Sequence, residues 1–131
     1  MTGWVYIMAN KPFGLPYIGV TSDLKDRVWD HKNDVHEGFT KKYRLHTLVW
    51  FEQHPNIVLA IRREKVLKRY PRQWKLNLIE GLNPKWADLY DRVYEIKNVY
   101  RPSSQVKGYE HYWDDGGDPT HWSETRGSRN G

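Results

Sequence analysis

Three side chains that packing alone does not explain stand at helical spacing in this sequence. Glu64 falls at the middle of an apolar arc formed by Ile57, Ala60, Ile61 and Leu67, within a helix predicted over residues 57–69. Burying a carboxylate without a partner costs several kcal/mol, so the group needs a counter-charge. Lys68, four residues on in the favourable orientation, supplies one; Arg27 or a cation is the alternative. Arg27 and His31 raise the same question earlier in the chain. A helix predicted over residues 23–35 places Leu24, Arg27, Val28, His31 and Val35 on one face. Either Arg27 meets an anion, or the helix lies at the rim of the core and the guanidinium reaches past its own methylenes to water.

The elements that must position these groups begin with a hairpin. Val5, Tyr6 and Ile7 form a first strand and Tyr17, Ile18 and Gly19 a second, separated by the turn formers Asn10, Pro12, Gly14 and Pro16. Alternation puts Trp4, Tyr6 and Met8 on one face and Val5 and Ile7 on the other; Tyr17 shares a face with Gly19. Thr21 and Ser22 offer an N-cap to the first helix, with Asp23 and Asp26 in its first turn. A basic segment, Lys41, Lys42, Tyr43 and Arg44, precedes a third strand over residues 47–52, where Val49 and Phe51 oppose Leu48 and Trp50. Helices follow over residues 57–69 and 72–79. A last one starts at Asn83-Pro84, a cap and a proline at the first helical position, with Trp86, Leu89, Tyr90 and Val93 as its apolar side. The predicted fold is α/β: a small three-stranded sheet, hairpin first, flanked by helices in the order β-β-α-β-α-α-α.

A chain of 131 residues is expected to hold one domain. Residues 1–97 carry it. Residues 98–131 lose all periodicity and read as an aromatic and acidic tail, flexible or laid over the domain, with Trp113 and Trp122 as candidate anchors and a docking element for a partner protein. Up to residue 97 there are 17 Lys and Arg against 11 Asp and Glu; beyond it the balance is 4 against 5. The basic excess therefore belongs to the domain, where it favours polyanions. The chain has no cysteine, which excludes a disulfide framework and a thiolate zinc site and suits a reducing cytoplasm. No apolar run approaches the ~20 residues of a membrane span, and no basic leader precedes the short apolar run at residues 4–9, so neither membrane nor secretion is expected.

Taken in order and spacing, these pieces resemble the GIY-YIG nuclease family, in its small stand-alone bacterial branch. Val5-Tyr6-Ile7 and Tyr17-Ile18-Gly19 match the two name-giving strands, with Val5 where the name has glycine. Arg27 and His31 match the arginine and histidine of the first helix, Tyr43 the further tyrosine, and Glu64 the metal-binding glutamate. The likeness extends to Leu78-Ile79 and to the run from Asn83 to Leu89, and covers residues 3–93. It implies hydrolysis of phosphodiester bonds in DNA with one divalent ion, Mg2+ or Mn2+, in repair or processing. Glu64 would hold the ion, since one carboxylate suffices for magnesium when water and phosphate oxygens complete the shell. Arg27 would hold the scissile phosphate, and Tyr6 would deprotonate or orient the attacking water. Tyr17, His31 and Tyr43 would position that water or relay its proton. A phenol titrates near ~10, so Tyr6 as a base needs a nearby cation, for which Lys68 is the closest by helical spacing. Lys41, Lys42, Arg44, Lys68 and Asn83 are the expected substrate contacts.

Plainer accounts stand beside each assignment: sheet packing for the tyrosines, a structural histidine for His31, a cap for Asn83. The alternative to an endonuclease is a catalytically silent nucleic-acid-binding or protein-interaction module on the same scaffold.

Overall fold

A computed structural model describes residues 2–100; all but the first three residues of the expected tail, Trp113 and Trp122 included, lie outside the described residues. The elements are β1 (Gly3–Ala9), β2 (Pro16–Thr21), α1 (Leu24–Lys32), α2 (Phe39–Lys42), β3 (Thr47–His54), α3 (Ile57–Lys68) and α4 (Arg72–Leu82), then a 3-10 turn at Tyr90–Arg92. The three strands form one antiparallel sheet in the order β2-β1-β3. The expected fold class is therefore the observed one.

β1 is the central strand, and both of its faces are covered, which is why it reads as an almost unbroken apolar run. Val5, Ile7 and Ala9 pack with Ile18, Val49 and Trp50 against Ala60, Leu67, Ile79 and Trp86. On the other face Tyr6 and Met8 pack with Leu48 and Phe51 against Leu24, Val28, Leu45, Leu89 and Val93. Gly3 brings α3 onto the sheet: a Cβ there would lie 2.7 Å from the Asn56 carbonyl oxygen and 2.8 Å from Ala60 Cβ.

Strict alternation fails in β3. The register shifts between Ile7 and Met8, which pair with Trp50 and Leu48, so Val49 is an extra residue in a bulge. Val49 and Trp50 thus share one face while Leu48 and Phe51 share the other, which corrects the expected pairing of faces.

The expected helix after Asn83 does not form. Asn83 accepts a hydrogen bond from Ala87 N (3.1 Å) and donates to the carbonyls of Ala87 (2.8 Å) and Val49 (3.1 Å). Trp86 takes a left-handed backbone (φ 55°), and Leu89 N donates to Leu48 O at 2.8 Å. Side chains supply here the partners that a helix would find in its own backbone, and the apolar residues still cover the sheet. α1 is shorter than expected: Asp23, not Thr21 or Ser22, is its N-cap, and Val35 lies beyond its end and exposed. In α3 the buried arc is Leu59, Ala60, Arg63, Val66 and Leu67, while Ile61 faces out. Arg63 is buried because it donates to Glu52 Oε1 at 3.0 Å, and His54 Nε2 lies 2.8 Å from the same oxygen. Residues 98–100 continue along the free edge of β3. Asn98 O accepts from Gln53 N at 2.8 Å and Tyr100 N donates to Gln53 O at 3.0 Å.

Candidate active site

β1 and β2 set the centre of the site. Tyr6 pairs across the strands with Gly19, and its ring lies over that residue. A Cβ at position 19 would run into the Tyr6 ring and hydroxyl, so the glycine is what lets the phenol lie flat on the sheet.

α1 brings two partners to that phenol. Its turn spacing puts Arg27 and His31 on the face that meets β1. Arg27, half-buried, sets its positive charge beside the Tyr6 hydroxyl. His31 Nε2 lies 2.8 Å from Tyr6 Oη, and His31 Nδ1 lies 3.1 Å from Thr40 Oγ1 on α2. Tyr17 meets the His31 ring edge-on at 5.8 Å and stacks on Phe39 at 5.9 Å; Phe39 in turn lies 4.7 Å from Tyr43. Tyr43 is exposed and, among the described residues, meets the cluster through Phe39.

The electrostatics favour neutral rings. Burial pushes the Tyr6 phenol up to about 12, with the nearby Arg27 cation opposing and Tyr17 and Glu64 adding to the rise. Tyr6 therefore keeps its proton at neutral pH. His31 is brought down to about 4 by burial and then by the Arg27 charge, against the pull of Asp30. Its sign can be tested on stability. Between about 6.5 and 4 the unfolded chain binds a proton that the native state refuses, so stability should fall as the pH drops through that window. Urea unfolding at neutral pH and near the lower end should show His31→Gln losing less stability than the wild type. Equal losses would refute the assignment.

Glu64 acts on this cluster from α3. Its side chain is 13% exposed and bonds Lys68 Nζ at 2.8 Å, while Lys68 is 52% exposed. The lysine is an exposed surface partner and not a buried lock, and the Glu64 charge acts on Tyr6.

The family model for the GIY-YIG catalytic domain matches residues 2–77. The chain belongs to the GIY-YIG family. This is a family of nucleases that use divalent metal ions. Among curated proteins, the chain is similar to a UPF0213 protein of Staphylococcus haemolyticus, 35% identical over 77 residues, which are 59% of this chain and 93% of that protein. A UPF0213 protein of Staphylococcus saprophyticus is 34% identical over 76 residues, 58% of this chain and 92% of its own length. One from Staphylococcus epidermidis is 35% identical with the same coverage as the first. No solved structure gives a match.

The GIY-YIG site residues named from sequence divide into two groups. Tyr6, Tyr17, Arg27 and His31 come together, and the Glu64 charge acts on Tyr6. Lys41, Lys42, Tyr43 and Arg44 line an exposed rim beyond Phe39; Lys41 pairs with Glu37 at 2.7 Å and Lys42 lies over the Tyr43 ring at 5.4 Å. Asn83 differs from both: it is buried and its amide holds the turn under β3, which corrects its reading as a substrate contact. Sequence reasoning missed Thr40 and Phe39, because α2 is a single turn with no periodicity to read.

Among the described residues no cluster of three or more His, Cys, Asp or Glu could hold a metal ion. The donor set still fits a hard cation such as magnesium: Glu64 is an oxygen ligand with an exposed, displaceable partner, and water and phosphate oxygens can fill the remaining positions. Among the described residues, no helix is long and apolar enough to cross a membrane.

Proposed function

We propose that this chain is a divalent-metal-dependent DNA endonuclease, using one Mg2+ or Mn2+ held by Glu64, that acts in DNA repair or processing in the cytoplasm. The observation that carries this reading is the hydrogen bond between Tyr6 and His31, on a phenol where the charges of Arg27 and Glu64 both act. Bound there, the ion would supply positive charge to the phosphate and to the leaving oxygen.

The protein's own groups do the rest. Arg27 has five N–H donors and offers them to a non-bridging oxygen of the scissile phosphate. The Tyr6 oxygen orients the attacking water and takes its proton as the Tyr6 proton passes to His31 Nε2. The water oxygen forms a bond to phosphorus while the bond to the leaving oxygen breaks, and that oxygen takes a proton from solvent. His31 then returns its proton to solvent. Phosphate nearby favours the imidazolium and eases this transfer. Tyr17 holds the His31 ring, and Tyr43 with Lys41, Lys42, Arg44 and Lys68 meets flanking phosphates.

Cleavage of linear and branched DNA in magnesium tests the proposal. Tyr6→Phe keeps the ring on Gly19 and removes the hydroxyl, so cleavage should fall about a hundredfold with binding retained. A wild-type protein that binds DNA and cuts none of these substrates would leave the silent binding module as the reading.

A further inference from the structure

The direction of each hydrogen bond in the Tyr6 row follows from the donors present. The Arg27 guanidinium near this phenol has no lone pair to offer, so it cannot take the Tyr6 proton. Tyr6 then has one proton to place, in a site where its side chain is 1% exposed. His31 Nε2, at 2.8 Å, is the acceptor; if Nε2 carried a hydrogen instead, the Tyr6 proton would be buried with no acceptor among the described residues. Neutral His31 therefore carries its hydrogen on Nδ1, where Thr40 Oγ1 lies at 3.1 Å.

We infer that Thr40 is a positioning residue of this site: its hydroxyl accepts the Nδ1–H of His31 and keeps the Nε2 lone pair on the Tyr6 hydroxyl. The local fold is built to present it. The Thr40 carbonyl accepts from Leu45 N at 2.9 Å, and Leu45 is fully buried in the core face that also holds Tyr6. The same short helix turns Lys41 and Lys42 outward, so one turn of chain carries both the exposed basic rim and the inward hydroxyl. The tautomer is a property of the free protein, whereas its kinetic consequence rests on the nuclease reading.

The test therefore has two arms on the full chain. In 15N NMR of histidine-labelled protein, wild-type His31 should show an unprotonated Nε2 and a protonated Nδ1. Thr40→Val, which is close in size, should move both resonances towards a mixture, and Thr40→Ser should restore them. In cleavage assays Thr40→Val should lower kcat by about tenfold to a hundredfold with KM little changed, and Thr40→Ser should recover most of the rate. A wild-type His31 protonated on Nε2, or a tautomer unmoved in Thr40→Val, overturns the inference. A tautomer that moves as described in a protein that cuts no DNA supports Thr40 and removes the nuclease reading instead.

Discussion

Glu64→Gln is expected to lower DNA cleavage in magnesium by about a thousandfold or more while DNA binding persists. The amide keeps the size and hydrogen-bonding reach of the side chain but loses the charge that attracts a cation. A metal ion contributes several kcal/mol of transition-state stabilisation, and each ~1.4 kcal/mol is a factor of ten in rate. Lys68 loses its partner in this variant, but at 52% exposure it returns to water at little cost. The fold should therefore survive, and thermal unfolding close to wild type would confirm it. Turnover above about a tenth of the wild-type rate would show that Glu64 acts only as a partner for Lys68.

The second large effect is on stability and involves none of the proposed catalytic groups. Glu52→Ala removes the carboxylate that both Arg63 and His54 contact, at 3.0 and 2.8 Å, in a cluster where none of the three side chains is more than 8% exposed. Removing one member of a buried ion pair typically costs about 3–5 kcal/mol, because the remaining charge is left in the interior. For a domain near this size that corresponds to a melting temperature lower by about 15 °C or more. Glu52→Gln keeps a hydrogen-bond acceptor for both neighbours and should lose less. If the alanine variant melts within a few degrees of wild type, water or neighbouring groups already satisfy Arg63, and the cluster is not a stability determinant.

What could be read in advance followed the range of the interactions involved. The hairpin, α1 and α3 are visible because their signals are local: turn formers between apolar strands, and apolar residues repeating at helical spacing. The meeting of Tyr6, Arg27 and His31 was legible only through the likeness to a family, since nothing local ties a strand residue to one 25 positions away. Three features were hidden for distinct physical reasons. The bulge at Val49 depends on how β3 registers against β1, which alternation within one strand does not reveal. The missing last helix reflects competition from the Asn83 side chain, which held a cap-like bond to Ala87 without a helix behind it. The cluster of Glu52, His54 and Arg63 needs strand and helix brought face to face before its charges make sense. At Tyr6, burial outweighs the neighbouring cation, and the proton stays in place.

The extent of the core reaches further than the stretch that reveals the chemistry. The family match ends at residue 77, yet Ile79, Trp86, Leu89 and Val93 all lie in the packed layers around the sheet, and Leu89 and Val93 share a cluster with Tyr6 itself. The stretch that the family model matches and the unit that folds are thus different lengths of chain. A transplant of this chemistry into another scaffold would have to carry the downstream segment with it, or find some other lid for the face on which the phenol rests.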